Sequence, residues 1–151
     1  MKVFIASDHR GFVKKNELAE KLSKNYEVVD LGPENLNPAD DYPVFAERVA
    51  RAVVEDPGSF GVLLCNSGEG MEIAANKVNG ARAALVWQEH IARETRADND
   101  SNIVVFASDE HGVEALHKMT EVFLDTKFSG AKRHKRRLHE IEQIEQEESN
   151  D

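Results

Sequence analysis

The sequence contains one cysteine, Cys65, placed where the apolar run Phe60-Gly-Val-Leu-Leu64 gives way to Asn66-Ser-Gly-Glu-Gly70. Taken alone, a free cysteine is more often a small hydrophobe packed in a core. Its position points the other way. A thiol at the end of a strand and facing the start of a helix is expected to have a lowered pKa, and the thiolate is the reactive form. Such a group can serve as a general base for a carbon-bound proton. Gly68 and Gly70 would let backbone N–H groups approach an oxyanion closely, with the dipole of the next helix adding partial positive charge. Glu69 and Glu72 oppose this by bringing negative charge to the same helix start, and they are the next candidates for the base if the cysteine is not it.

The turn lacks the Gly-x-x-x-x-Gly-Lys of a nucleotide phosphate loop and the Gly-x-Gly-x-x-Gly of a dinucleotide site, so neither ATP nor NAD is implied. A second cluster, Ser7-Asp-His-Arg-Gly11, follows an apolar run in the same way, and Ala107-Ser-Asp109 ends a third. Asp98-Asn-Asp-Ser-Asn102 suggests calcium. The sixth place of such a loop, however, falls on Ile103 instead of glycine and the twelfth on Asp109 instead of glutamate. The six histidines have no zinc spacing. No metal is expected.

These residues need a scaffold that brings the ends of several apolar runs together. Five such runs are present: Lys2–Ser7, Tyr26–Leu31, Phe60–Asn66, Arg82–Val86 and Ile103–Ala107. They alternate with helical candidates over Gly11–Lys24, Pro43–Glu55, Glu69–Lys77, Gln88–Ala97 and His111–Asp125. This is the pattern of successive βα units on a parallel sheet, whose ligands sit beyond the carboxyl ends of the strands. Pro43 suits a helix start because its missing N–H would be unpaired there. Val44, Phe45, Val49 and Ala52 form an apolar stripe at helical spacing.

The 151 residues are expected to form one domain, and 40% apolar with 31% charged side chains describes an ordinary globular protein. A net charge of −9 opposes general attraction to nucleic acid or anionic lipid. With no signal peptide, no membrane span and no possible internal disulfide, the cytoplasm is the expected compartment.

The tail 131–151 begins with the basic cluster Lys132-Arg-His-Lys-Arg-Arg137, continues through Leu138, Ile141 and Ile144, and ends in glutamates that are expected to fray. Its period suggests an amphipathic helix, which a second subunit could cover. The cluster has no aromatic residues and is soon followed by acids, so nucleic-acid binding is not expected. Arg133 and Arg137, four apart on one helix side, could grip a small phosphate.

The blocks IASDHRGF, VVDLG, DDYPVFA, GVLLCNSGEGMEIAANKVNGARAAL, NDSNIVVF and RHKRRL resemble, in order and spacing, the type B ribose-5-phosphate isomerase family, which includes galactose-6-phosphate isomerase subunits. The resemblance covers about residues 2–141. It implies a three-layer α/β/α fold with a five-stranded parallel, Rossmann-like sheet and a C-terminal helical tail reaching a partner subunit, in a homodimer or a tetramer of paired dimers. It also implies a cofactor-free aldose–ketose isomerisation of a sugar phosphate through a cis-enediolate, a reaction of pentose phosphate metabolism. By the same resemblance Cys65 moves the proton between C1 and C2, and the turn amides Ser67, Gly68, Glu69 and Gly70 hold the enediolate oxygen. Asp8 and Ser67 assist with hydroxyl protons, while His9 with the tail residues Arg133 and Arg137 holds phosphate. Tyr42 and Asn99 line the sugar.

Two departures bear on specificity. Many members read His-Asn-Asp where this chain has Asp98-Asn99-Asp100. Ring opening would then fall to Asp98, which accepts a proton only if burial raises its pKa. Many also carry a phosphate-contacting arginine where this chain has Asp109, a loss expected to weaken dianion binding by about 1–3 kcal/mol. A different sugar phosphate, or binding without turnover, is the alternative expectation.

Overall fold

The computed structural model describes residues 1–150, and Asp151, the end of the expected tail helix, lies outside them. Five parallel strands form one sheet: β1 (Lys2–Ser7), β2 (Glu27–Asp30), β3 (Phe60–Cys65), β4 (Ala83–Leu85) and β5 (Ile103–Ala107). Their order across the sheet is β2-β1-β3-β5-β4. The helices are α1 (Phe12–Leu22), α2 (Tyr42–Glu55), α3 (Glu69–Ala75), α4 (Glu89–Asn99), α5 (Val113–Asp125) and α6 (Lys132–Ser149).

The strands alternate their side chains between two apolar layers, as the pleat requires. Val3, Ile5, Val62, Leu64, Val104 and Phe106 face one layer, where α1, α4 and α5 contribute Leu18, Leu22, Ala92, Leu116 and Phe123. Phe4, Ala6, Leu63, Cys65 and Val105 face the other, with Phe45 and Val49 of α2 and Met71 and Ala75 of α3. Burial on both faces is why the strands read as unbroken apolar runs, and each buried Leu, Ile or Phe contributes about 1.5–3 kcal/mol. The result is the expected three-layer α/β/α arrangement.

The observed strands lie within the expected runs, shortened by a residue or two where one end leaves the ladder. A 3-10 turn, His9–Gly11, takes in Gly11, the first residue of the expected first helix, because Asp8 Oδ1 accepts the N–H groups of Arg10 (3.0 Å) and Gly11 (3.3 Å). The tail departs from expectation at its end. It stays helical through Ser149, where it is held at Gly80, whose N–H donates to the Glu145 carboxylate at 3.1 Å and 3.2 Å. Asn79 also donates to Ser149.

Candidate active site

The central strand β3 pairs with β1 on one side and β5 on the other, so the loops after all three converge. In the register Ser7 sits opposite Leu64 and Cys65 opposite Ala107. The first loop is drawn onto β3 through Gly11, where a Cβ would lie 2.9 Å from Leu64 Cβ. Ser108 closes the other side, its N–H (2.8 Å) and Oγ–H (3.0 Å) both donating to the Cys65 carbonyl.

Cys65 is 5% exposed, but the residues beside it, Asn66 and Ser67, are at the surface, so the sulfur lies just beneath an open loop. The N–H groups of Met71, Gly68 and Ser67 approach the sulfur and favour the thiolate. They do not prevail. Burial pushes the thiol pKa up, and the charge of Asp8 adds to the rise. The expected lowered thiol pKa is therefore corrected: the local amides were legible, but loss of water around the sulfur is the larger effect. The free thiol is the resting form at neutral pH, and the thiolate, once formed, is a stronger base than an ordinary one.

The turn that follows depends on its glycines. Gly68 has φ +80°, and a Cβ there would lie 2.5 Å from Leu85 Cδ1, 3.1 Å from the Phe106 carbonyl carbon and 3.2 Å from the Ala107 nitrogen. A Cβ on Gly70 would meet the ring of Tyr42 at 2.6 Å. Tyr42, the first residue of α2 and 40% exposed, is thus laid over the cysteine turn by contact with Gly70. Glu69 and Gly70 open α3, so their N–H groups have no intrahelical acceptor and remain available to an oxyanion. Glu72 is engaged at its Oε1, which accepts the Leu85 N–H at 3.0 Å.

Asp8, His9 and Asp40 place ligand atoms within 4.8 Å of one another. These atoms already bond each other or the backbone. His9 Nδ1 lies 2.7 Å from Asp40 Oδ1, and Asp8 Oδ1 holds the two amides of the 3-10 turn. Within the trio only His9 and Asp40 bond each other, and Asp40 Oδ2 has no hydrogen-bond partner among the described residues.

Asp109, which stands where many members carry a phosphate-contacting arginine, is paired within this chain. Arg10 Nη2 donates to Asp109 Oδ2 at 2.8 Å and to Asn66 Oδ1 at 3.3 Å, so the carboxylate is neutralised by a guanidinium above the end of β3. The arginine's Nε and Nη1 engage no other group among the described residues.

Four expected residues are not brought to this site within one chain. Asp98 and Asn99 end α4, which leads into the start of β5, where Gly61 pairs with Ile103. Cys65 and Ala107 lie four residues further along, roughly 13 Å away at the strand rise. Asp98 instead faces the buried His134, with Oδ1 3.7 Å from Nε2, and His134 Nδ1 lies 3.0 Å from Ser129 Oγ. Arg133 and Arg137, on the same tail helix, are exposed and join no ion pair among the described residues. An apolar cleft of about 430 Å³, lined by Ala83, Ala84, Leu138, Ile141 and Ile144 among others, lies at the β4 edge with β5 between it and Cys65. Asn99 borders this cleft too, and the one carboxylate in its lining, Glu145, accepts the Gly80 N–H.

Comparison with known proteins decides the family. The profile of the Ribose/Galactose Isomerase family matches residues 3–141. The chain belongs to that family. Ribose-5-phosphate isomerase B of Mycobacterium leprae is 36% identical over 146 residues, covering 96% of this chain and 90% of the relative. Among solved structures, the Mycoplasma genitalium isomerase B with bound ribulose-5-phosphate aligns with a TM-score of 0.92 and 39% identity over 97% of each chain. The Trypanosoma cruzi type B isomerase aligns at 0.91 and 41% identity over 97% of this chain and 99% of its own.

Within this isomerase-family fold, three contributors escaped the reading of the sequence: Arg10, Asp40 and Ser108. Arg10 and Ser108 stood inside strand-end clusters singled out for their neighbours. Asp40 had a signal only in the doubled acid before Tyr42-Pro43, which reads as a helix start.

Proposed function

We propose that the chain is an aldose–ketose isomerase of a phosphorylated sugar that works through a cis-enediolate. Cys65 takes the proton from the carbon next to the carbonyl and returns it to the neighbouring carbon. The Glu69 and Gly70 amides, with Ser67 and Gly68, receive the oxygen on which charge develops. Asp8 and the Ser67 hydroxyl move hydroxyl protons, Tyr42 bounds the sugar, and His9 meets the phosphate. The observation that carries this reading is the lone thiol beneath the glycine turn at the end of the central strand, with Asp8 beside it, in a member of the isomerase family.

A homodimer completes the site. Asp98 and Asn99 lie at the opposite end of β5 from their own Cys65, and Arg133 and Arg137 are exposed on the tail helix, while Ile141 (44% exposed) and Ile144 (59% exposed) flank the edge strand β4 on a face suited to a second copy. Pairing there would bring the tail arginines of one subunit toward the other's phosphate end. Among the described residues no helix is long and apolar enough to cross a membrane, and the cytoplasm remains the proposed compartment.

The test is proton exchange. Wild-type protein in deuterium oxide should wash label into the carbon next to the carbonyl of ribulose 5-phosphate, and Cys65→Ala should lower that rate by roughly 100-fold or more. Exchange that survives the substitution would reassign the base to Glu69 or Glu72. A panel of pentose and hexose phosphates identifies the substrate. The departures at Asp98 and Asp109 motivate a second reading, binding without turnover, which predicts thermal stabilisation by a sugar phosphate that is never interconverted.

A further inference from the structure

Asp40 lies in the loop ahead of α2 and reaches back across 31 residues to the first loop. Its Oδ1 accepts the backbone N–H of His9 at 2.9 Å and lies 2.7 Å from His9 Nδ1. Its side chain is 9% exposed, and Oδ2 is buried with no hydrogen-bond partner among the described residues. His9 is the only basic side chain within ion-pair distance of it among those residues. A carboxylate so withdrawn from water is expensive unless a cation stands against it.

We propose that Asp40 is the positioning residue for His9, fixing the imidazole with Nδ1 against its carboxylate and leaving Nε2 free to donate to the phosphate of the substrate. This rests on the reading above, in which His9 meets the phosphate. The geometry has a chemical consequence. The Asp40 carboxylate and a phosphate are both acceptors, so a ring lying between them must donate from both nitrogens, and only the imidazolium does so. The second bond, from the His9 backbone N–H to the same Oδ1, fixes where the ring is attached as well as which way it points. Asp8, the other acid in the cluster, spends its Oδ1 on the amides of Arg10 and Gly11 and makes no hydrogen bond to the imidazole. The role therefore falls to Asp40 alone.

Inorganic phosphate is the probe. In long-range proton–nitrogen correlation spectra of isotope-labelled wild type at neutral pH, saturating phosphate should show both His9 ring nitrogens protonated. In Asp40→Asn that signature should be lost, and phosphate affinity should fall roughly 10- to 100-fold, the scale of a lost charged hydrogen bond. In turnover of ribose 5-phosphate, KM should rise by a similar factor and kcat should change much less. A general structural defect would lower kcat and heat stability without altering the ring signature. If Asp40→Asn does not fold, the wild-type spectrum still decides, because a ring nitrogen without its proton in the phosphate complex overturns the proposal. Undiminished phosphate binding by a folded Asp40→Asn also overturns it. Because the phosphate titration needs no turnover, its result stands apart from that of the isomerase assay.

Discussion

Replacing Gly68 with alanine separates two reasons for glycine in the cysteine turn. Its φ of +80° costs an L-residue about 1–2 kcal/mol. The new methyl also enters an occupied space, 2.5 Å from Leu85 Cδ1 and close to the backbone of Phe106 and Ala107, which cannot swing aside as a side chain tip can. Overpacking of this kind costs about 1–3 kcal/mol, giving a total of roughly 2–5 kcal/mol. Gly58 supplies the control, since its φ is +91° but nothing lies within 4 Å of a Cβ there. Gly58→Ala should therefore show only the backbone cost, about 1–2 kcal/mol. Thermal unfolding at a fixed protein concentration should show Tm falling by roughly 4–20 °C for Gly68→Ala and roughly 2–8 °C for Gly58→Ala. Gly68→Ala should also lose isomerase activity, because the turn can accommodate the methyl only by moving off the sulfur. Equal Tm losses with activity intact would show that the close approach to β4 and β5 does not shape the site.

Further outcomes follow from the same structure. Burial raises the Cys65 pKa, so the base form grows as pH rises, and kcat/KM should still be climbing past the ordinary thiol range; a plateau at or below neutral pH would contradict this. Asp109→Arg would set a guanidinium against Arg10, so its kcat/KM on ribose 5-phosphate should be lower than that of the Arg10→Ala, Asp109→Arg pair; the reverse order would show that Arg10 and Asp109 do not act together. Ile141→Glu with Ile144→Glu should yield an inactive monomer by analytical ultracentrifugation, and a fully active dimer would place the interface elsewhere. Mixing Cys65→Ala subunits with Arg133→Ala, Arg137→Ala subunits should restore about a quarter of wild-type activity if each site draws on two chains, and nothing if it does not.

The strands were legible because a parallel sheet covered on both faces demands unbroken apolar runs, and Lys2–Ser7 and Ile103–Ala107 emerged with the expected bounds. The insertion of β5 between β3 and β4 was not legible, since no local pattern records which strands become neighbours. The same limit applies to the site. Cys65 and the glycines of its turn stand out by type and position, whereas the roles expected of Ser67, Asp8 and His9 came from the family resemblance. The bond from Asp40 to His9 spans 31 residues and that from Arg10 to Asp109 spans 99, and periodicity says nothing about contacts of that reach. The thiol pKa was misjudged for a related reason: helix starts can be read locally, but depth beneath the surface depends on the whole packed fold. Asp98, matched by position, faces His134 of its own tail at 3.7 Å, another approach between distant parts of the chain that periodicity does not record.

The depth at which the sulfur sits also governs its chemistry toward other reagents. Peroxides and alkylating agents attack thiolates at accessible sites, and a protonated sulfur that is 5% exposed offers them little of either property. A sulfur that would be an easy target for oxidation on an open surface is thereby shielded, and the same packing that raises its pKa supplies that protection.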